Sequence, residues 1–353
     1  MLKNIHRILI IKLQAIGDVV MSTAVIPNVR QAFPDAKIDF LTMKYCSPVV
    51  EGNPEIDEVI WIQTKGNHRL DTVAGAKATY HYLSRLAKAR YDLVIDLYGN
   101  ARSAFLTTVT GSRNRVGFDF RGRKHFYNHQ VIHRSNDVHE VEFNLDALIR
   151  IGIPVVTKDL FFPISENDQA FVDGYLKENS LGKSFLIGIN GCASWKVKSW
   201  ALDKYAALAD RLVQEYQTKI VFVWGPGEKP IAESICSQMK HPGFVAPATT
   251  LKQLAALLKR CRLVISNDTS PMHISAAMGT PTVGVFGLTK PRLQGPWGTK
   301  NVTVQKADLP CIGCRKTECD DIQCMDKLSV DEVWEAVLKC MAKNKIDVSL
   351  KSL

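Results

Sequence analysis

Short apolar runs rich in β-branched residues alternate along the chain with longer stretches in which apolar residues recur every three to four positions. The short runs have the length and composition of buried strands, and the longer stretches have the period of amphipathic helices. The predicted strands are residues 7–12, 37–43, 58–63, 91–98, 185–190, 219–224, 243–247, 263–267 and 282–286. The predicted helices are residues 19–33, 71–90, 138–151, 203–217, 228–240, 251–260, 271–279 and 329–343.

This alternation predicts an α/β protein built on doubly wound parallel sheets. It is interrupted once, over the basic residues 111–136, for which no strand or helix is predicted. A length of 353 residues suits two domains, predicted as residues 1–160 and 185–353 with a linking segment at 161–184. Ligands of such sheets bind at the carboxyl ends of the strands, so the loops that follow the strands are the candidate sites.

The composition is that of a folded protein, with 46% apolar and 23% charged residues. A net charge of +10 is consistent with a solvated basic surface or with an anionic partner, which can be a nucleotide, a phosphorylated glycolipid, a membrane or nucleic acid. No apolar run approaches the ~18 residues of a membrane-spanning helix. Lys12 interrupts the apolar N-terminal run, which therefore predicts a strand of a cytoplasmic protein rather than a signal peptide.

The loop after the first predicted strand, residues 13–18, ends with Asp18 at the start of a helix. An aspartate in this position can cap the helix through a backbone N–H group. It can also act as a carboxylate general base at the mouth of a cleft. The two roles are compatible, and the sequence alone leaves both open.

The loop at residues 266–273 leads from a strand through a polar turn into a helix with Pro271 in its first turn. The hydroxyls of Thr269 and Ser270, the exposed N–H groups and the helix dipole together suit a diphosphate. Asp268 or Thr269 can instead cap the helix. His273 lies one turn into the same helix and favours the ligand site.

Two further loops carry polar candidates. Ser194 and Lys198 lie in the loop at residues 190–200, and Glu228 follows a Gly-Pro-Gly turn at a strand end. Each has an ordinary alternative as a surface residue or, for Glu228, as an acid favoured by the helix dipole. The chain has no dinucleotide-binding glycine fingerprint, no phosphate-binding P-loop and no Asp-x-Asp pair. Phosphate is therefore expected to be bound by backbone N–H groups and lysine.

Four of the nine cysteines are close together in sequence, with the spacing C-x2-C-x4-C-x4-C, at Cys311, Cys314, Cys319 and Cys324. Four thiolates so close together suit a tetrahedral metal, and the sequence predicts a structural zinc or iron here. Reduced cysteines and one or two local disulfides are the alternatives.

Taken together, the segments ILIIKLQAIGDVVMSTAVIPNVRQAFPDAKIDFLT, VVEGNPEIDEVI and SNDTSPMHISAAMGTPTVGVFGLTKP resemble glycosyltransferase family 9, the ADP-heptose-using lipopolysaccharide heptosyltransferases. The resemblance implies a GT-B fold of two facing Rossmann-like domains with an interdomain cleft, an ADP-heptose donor in the C-terminal half and inversion at the anomeric carbon. It assigns Asp18 as the general base, and it needs no cofactor for catalysis. It assigns donor binding to Ser194, Lys198, Glu228, Asp268, Thr269, Ser270 and His273. The family often has glycine in place of Ser270.

The basic stretch at residues 100–124 is predicted to bind the acceptor, the inner core of lipopolysaccharide, through Arg102, Arg115 and Arg121. The alternative is a basic loop beside anionic lipid at the inner membrane. Two competing functions remain at this point. One is a GT-B transferase or epimerase that uses a UDP sugar. The other is a non-catalytic nucleic-acid binder, which the lack of an aromatic platform among the basic residues disfavours.

Overall fold

Two six-stranded parallel sheets organise the protein, as a computed structural model shows for residues 2–63, 73–120, 122–314 and 316–346. The chain divides into two units, Met1–Pro163 and Ile164–Leu353, and each contains one of the sheets. The predicted α/β class with two doubly wound domains is therefore confirmed. None of the helices in the described part of the chain is long and apolar enough to cross a membrane.

The first unit has the strand order β3-β2-β1-β4-β5-β6. Its elements are β1 (Arg7–Ile11), α1 (Ile16–Ser22), α2 (Val25–Ala32), β2 (Lys37–Met43), β3 (Glu58–Ile62), α3 (Val73–Lys88), β4 (Leu93–Asp96), α4 (Ala101–Val109), β5 (Asn114–Phe118), β6 (His129–Val131) and α5 (Glu140–Arg150). Short 3-10 turns lie at Lys44–Val49 and Lys124–Phe126. Four consecutive residues of β1 are fully buried, because helices cover both faces of a parallel sheet.

The second unit has the strand order β12-β11-β10-β7-β8-β9. Its elements are α6 (Glu166–Glu178), β7 (Leu186–Asn190), α7 (Leu202–Tyr216), β8 (Lys219–Phe222), α8 (Lys229–Gln238), β9 (Phe244–Val245), α9 (Leu251–Arg260), β10 (Leu263–Asn267), α10 (Ser270–Ala277), β11 (Thr282–Phe286), α11 (Pro291–Gln294), β12 (Val302–Gln305), α12 (Gln323–Asp326) and α13 (Val330–Lys343). A 3-10 turn lies at Lys196–Lys198. Helix α6, in the predicted linking segment, packs against α9.

In each sheet, successive strands are added first on one side of the starting strand and then on the other. This change of side occurs between β1 and β4 in the first sheet and between β7 and β10 in the second. Ligands of open parallel sheets bind at the carboxyl ends of the strands beside such a switch point. The loops that begin after these four strands therefore define the candidate site in each unit.

The predicted helix at residues 19–33 is wrong in one respect, because two helices occupy this stretch. Pro27 has no N–H group to donate to the carbonyl of Thr23, so the ladder of helical hydrogen bonds cannot continue through this point. The Thr23 hydroxyl instead donates to the carbonyl of Val20 at 2.7 Å and accepts the N–H of Phe161 at 3.1 Å. Strands β5 and β6, inside the stretch for which no element was predicted, and β12 were missed.

We expect Gly117, in β5, to be intolerant of any side chain. A Cβ added there would overlap the ring of Tyr127, whose hydroxyl is fixed by a 2.6 Å hydrogen bond to Asp96. Gly117→Ala should lower the free energy of unfolding by about 1–3 kcal/mol, the usual cost of overpacking a core. Urea denaturation measures this change.

Gly174, in α6, supplies the matched control, because a Cβ added there meets no atom within 4 Å. Gly174→Ala should raise the free energy of unfolding by up to about 1 kcal/mol through helix propensity. Equal stability of the Gly117→Ala variant and the unsubstituted protein would contradict the packing described here.

Candidate active site

Asp18 lies in the first turn of α1, after the carboxyl end of β1, and is half-buried. Its Oδ2 accepts the N–H of Ala15 at 3.2 Å, so the carboxylate reaches back over the helix start from the third helical position. The same loop is bonded to its surroundings through Gln14, which donates to the hydroxyl of Tyr98 at 2.9 Å and accepts that of Tyr45 at 3.0 Å. The loops after β1 and β4 are thus tied together around Asp18.

Lys12 is a buried cation immediately after β1. Its Nζ donates to the carbonyl of Leu97 at 3.0 Å, to Glu140 at 2.8 Å and to the side chain of Asn144 at 3.3 Å. Burial acts to lower the pKa of Lys12, but the nearby carboxylates of Glu140 and Asp18 outweigh it, and the net pKa is raised. The Lys12 ammonium therefore lies close enough to Asp18 for the two charges to interact.

Asp96 ends β4 and organises the loop that follows. Its carboxylate accepts the N–H groups of Tyr98 and Gly99, both at 3.0 Å, and the hydroxyl of Tyr127 at 2.6 Å. Burial raises the pKa of Asp96, and these hydrogen bonds act against that rise. The result is a fixed loop that leads into α4.

The three arginines predicted to bind the acceptor differ in position. Arg102 is exposed in the first turn of α4, at the carboxyl ends of the strands. Arg115 lies at the opposite end, at the beginning of β5, and donates to the carbonyls of Phe126 at 2.9 Å and Ser112 at 2.6 Å. Its guanidinium therefore holds a backbone turn in place. Arg121 lies outside the described residues.

Arg123 is a cation of this region that the sequence analysis did not single out. Its guanidinium lies 5.1 Å from the centre of the Phe120 ring, and that ring covers Gly99 in the loop after β4. The Nε of Arg123 is buried and has no hydrogen-bond partner within the described part of the protein. Arg123 thus lies beside the loop that leads to Arg102.

In the second unit, the centre of the candidate site is an ion pair between Lys198 and Asp268. The Nζ of Lys198 is 2.6 Å from Oδ2 of Asp268 and 3.2 Å from its carbonyl oxygen. The hydroxyl of Thr289 donates to the same Oδ2 at 2.6 Å. Asp268 is buried, whereas Lys198 is only half-buried and its Nζ also lies 5.5 Å from the centre of the exposed Trp195 ring.

Two buried asparagines join the loops on which this pair depends. Asn190, at the end of β7, donates through Nδ2 to the hydroxyls of Thr269 at 2.8 Å and Ser266 at 3.2 Å. Asn267, at the end of β10, donates to the carbonyl of Gly191 at 2.9 Å. The loop after β7, which carries Lys198, is therefore fixed against the turn that carries Asp268.

That turn leads into α10. Thr269 occupies the cap position but makes no side-chain capping bond, and the carboxylate of Asp268 is directed at Lys198 and Thr289 instead. The alternative considered above, in which Asp268 or Thr269 caps the helix, therefore does not form. In the first turn, Pro271 has no N–H group and that of Met272 donates to the carbonyl of Thr269 at 3.1 Å, so an anion would be attracted here mainly by the helix dipole. Ser270 begins the helix half-buried, and His273 is buried one turn later.

Glu228 and Ser194 lie at the carboxyl ends of the neighbouring strands. Glu228 directly precedes α8, is half-buried and accepts the N–H of Gly225 at 2.9 Å through Oε2. Ser194 is exposed in the loop after β7, four residues before Lys198. All seven residues predicted to bind the donor therefore lie in the loops and the first helical turn at one end of the second sheet.

Comparison with known proteins identifies the family to which the protein with this site belongs. A model of the family described as glycosyltransferase family 9 (heptosyltransferase) matches residues 80–324. The chain belongs to glycosyltransferase family 9. Lipopolysaccharide heptosyltransferase 3 of Escherichia coli K12 is 30% identical to it over 295 residues, which is 81% of this chain and 83% of that protein.

Solved structures agree with this family 9 assignment. A glycosyltransferase family 9 protein from Veillonella parvula superimposes with a TM-score of 0.84 at 25% identity, over 96% of this chain and 97% of that one. The heptosyltransferase WaaC of E. coli, solved with ADP, has a TM-score of 0.75 at 20% identity, over 95% and 99%. The predicted GT-B fold is confirmed, and the protein is a glycosyltransferase rather than a nucleic-acid binder.

The four clustered cysteines of this family 9 enzyme, Cys311, Cys314, Cys319 and Cys324, line one cavity of about 80 Å³. None of the nine cysteines is in a disulfide in this structure. Among the residues that the structure describes, no three or more His, Cys, Asp or Glu side chains are arranged to hold a metal ion. Zinc or iron here stays a prediction outside the catalytic site, and metal analysis of the purified protein tests it.

Sequence reasoning missed three residues that hold this site together. Lys12 carried a signal, because a lysine that continues an apolar strand is rarely buried without a partner. Asn267 and Thr289 both lie inside the segment on which the family resemblance rests. Nothing in the spacing of Thr289 pointed to its bond with Asp268, which depends on the adjacency of β10 and β11.

Proposed function

We propose that this enzyme transfers heptose from ADP-heptose to the inner core of lipopolysaccharide, with inversion at the anomeric carbon. The observation that carries the proposal is the Lys198–Asp268 ion pair beside the uncapped start of α10. The E. coli relative WaaC has been solved with ADP and with ADP-2-deoxy-2-fluoro heptose. Curated relatives across the length of the chain are lipopolysaccharide heptosyltransferases.

The diphosphate of the donor would bind at the start of α10, where the helix dipole attracts an anion, and to the ammonium of Lys198. Asp268 holds that ammonium in position through the 2.6 Å ion pair. Because Thr289 donates to the same carboxylate oxygen, Asp268 keeps a hydrogen bond when Lys198 turns toward phosphate. Glu228 would accept the ribose hydroxyls. Ser194, Ser270 and His273 would complete the donor site.

A nucleotide screen tests this donor assignment. ADP should raise the melting temperature of the protein, and UDP at the same concentration should not. Lys198→Ala should weaken ADP binding about 10- to 100-fold, which corresponds to the ~1.5–3 kcal/mol of a charged hydrogen bond. Isothermal titration calorimetry measures the affinity.

Lys196→Ala is the matched control, since Lys196 is exposed two residues earlier in the same turn. It should leave ADP affinity unchanged. Stabilisation by UDP in preference to ADP would replace the proposal with the UDP-sugar alternative, and equal losses in the two lysine variants would remove Lys198 from the phosphate site.

In the proposed reaction, Asp18 accepts the proton of an acceptor hydroxyl as its oxygen attacks the anomeric carbon. The new glycosidic bond forms on the face opposite ADP while the bond from carbon to the diphosphate oxygen breaks, through an oxocarbenium-like transition state. The leaving ADP carries the negative charge, which Lys198 and the start of α10 stabilise. The buried ammonium of Lys12 lies close enough to Asp18 for the two charges to attract each other.

Asp18→Asn separates chemistry from binding. Turnover should fall about 10²- to 10⁴-fold, the usual contribution of a general base, while the ADP-induced rise in melting temperature stays the same. Steady-state release of ADP measures turnover. Asp35→Asn, at an exposed position of the same unit, should have no effect. Near-normal turnover of the Asp18→Asn protein would end the assignment of the base.

For the acceptor, the proposal rests on Arg102 and Arg123, because both lie by the loop after β4. Arg115 is left out, since its position and its bonds to two carbonyls give it a structural role. Arginine is suited to the phosphates and carboxylates of an inner-core acceptor because its guanidinium donates two parallel hydrogen bonds.

Charge reversal at both positions, Arg102→Glu with Arg123→Glu, should raise the KM for heptose-deficient lipopolysaccharide at least about tenfold, the effect of losing one charged hydrogen bond. The KM for the donor should not change. Arg113→Glu is the control, since Arg113 is exposed just before the amino end of β5. An unchanged acceptor KM in the double variant would contradict the assignment.

A further inference from the structure

Three segments of the first unit meet at the carboxyl ends of its central strands. Strands β2, β1 and β4 are adjacent in the sheet, and the segments that follow them carry Tyr45, Asp18 and Tyr98 respectively. The N–H of Met43 donates to the carbonyl of Leu13 at 3.0 Å, which joins the first two segments directly. Helix α1 also contacts the 3-10 turn that carries Tyr45. The surroundings of the proposed base therefore include the turn after β2, which the proposed reaction does not yet use.

Tyr45 is an aromatic residue that this arrangement leaves open to solvent. It is 49% exposed, and its hydroxyl donates to Oε1 of Gln14 at 3.0 Å. Nε2 of Gln14 donates in turn to the hydroxyl of Tyr98 at 2.9 Å. Partial burial raises the pKa of Tyr45, and Cys46, Tyr98 and the carboxylate of Asp18 add to the rise. The Tyr45 ring is thus held in place by its hydroxyl and open to a ligand close to Asp18.

A cation and a second aromatic ring continue this surface toward β3. The Nζ of Lys44 lies 4.6 Å from the centre of the Trp61 ring, and Trp61 is 44% exposed. Trp61 belongs to β3, where it is paired with Thr42 near the carboxyl end of β2. Lys44 is exposed as well and directly precedes Tyr45. These side chains are here called the β2-end surface, which is defined by Lys44, Tyr45 and Trp61.

The proposed reaction places a sugar ring next to the β2-end surface. The attacking hydroxyl must lie within hydrogen-bond distance of Asp18 when the base accepts its proton. The ring that carries this hydroxyl is then close to Tyr45 as well. A sugar ring exposes C–H groups on its faces, and the electron-rich face of an aromatic ring attracts them. A carboxylate on the same sugar would be attracted by an ammonium such as that of Lys44.

We propose that the β2-end surface binds the acidic sugar ring that carries the attacking hydroxyl, with Tyr45 packed against the ring and Lys44 paired with its carboxylate. Arg102 and Arg123, on the β4 side of Asp18, then bind the remaining anionic groups of the acceptor. The inference rests on the proposed function and deepens it, because it assigns the enzyme a preference for an acidic sugar. Tyr45 and Lys44 position the acceptor and take no proton from it.

Binding of an oligosaccharide in the absence of the donor tests this assignment. The probe is the deacylated core oligosaccharide of heptose-deficient lipopolysaccharide, compared with the same oligosaccharide after its carboxyl groups have been reduced to alcohols. Isothermal titration calorimetry gives both dissociation constants, and the unsubstituted protein should bind the reduced form more weakly. Tyr45→Ala should weaken binding of the acidic form about three- to tenfold, the range of an aromatic contact. Lys44→Gln should weaken it about two- to fivefold, the range of an exposed ion pair, and should bind both forms alike.

Tyr45→Phe separates the ring of this residue from its hydroxyl. The variant keeps the ring and loses the hydrogen bond to Gln14, so it should bind the oligosaccharide like the unsubstituted protein. A role of Tyr45 in supporting the loop alone would instead impair the Phe and Ala variants equally. Tyr80→Ala and Lys88→Gln are the matched controls, since both residues are exposed on α3 of the same unit. Neither substitution should change binding.

Three results would overturn the proposal. They are unchanged binding by Tyr45→Ala, an equal loss in Tyr45→Phe, and equal affinity of the unsubstituted protein for the acidic and the carboxyl-reduced forms. No nucleotide is present, so an error in the donor assignment would leave these measurements unaffected. Transfer to heptose-deficient lipopolysaccharide with an unchanged acceptor KM in Tyr45→Ala would retain the proposed function and remove only the role of the β2-end surface.

Discussion

The side chain of Asn267 is buried at the end of β10, and its amide is bonded on both sides to residues that follow β7. Its oxygen accepts the N–H of Trp200 at 3.3 Å and the hydroxyl of Tyr205 at 2.9 Å, and its nitrogen donates to the carbonyl of Gly191 at 2.9 Å. Loss of this amide would leave three buried polar groups without a partner. The position of Lys198 relative to Asp268, and with it the donor site, depends on these bonds.

In the first unit, a buried charged side chain, Lys12, fixes the loops in the way that the Asn267 amide does in the second unit. Lys12 joins the ends of β1 and β4 to α5 through Leu97, Glu140 and Asn144. Removing one partner of such a buried pair is costly, because the other charge is left without compensation. The same ammonium lies close enough to Asp18 for their charges to interact, so one group both fixes the loops and places positive charge near the proposed base.

The strands Leu263–Asn267 and Thr282–Phe286 were predicted with their observed bounds, because a run of mostly apolar residues buried on both faces gives a clear signal. The edge strand His129–Val131 was missed, since three residues with two polar side chains carry no periodic signal. At the site, topology places Asp18 and Asp268 at strand ends. The partner of Asp268 could not be predicted, because Thr289 reaches it only through the pairing of two strands whose neighbours are set by the whole sheet.

Burial of acidic side chains makes the surface of the protein more positive than its composition suggests. Four aspartates are buried, at Asp39, Asp96, Asp146 and Asp268, whereas Lys12 is the one buried lysine or arginine within the described part of the chain. The buried carboxylates are compensated locally, by Arg134 for Asp146 and by the Tyr127 hydroxyl and backbone N–H groups for Asp96. More acid than base is thereby withdrawn from the surface, so the outside is more positive than the formal +10 suggests. Such a field attracts anions in general. The choice among them therefore depends on the short-range geometry of Lys198 and the start of α10.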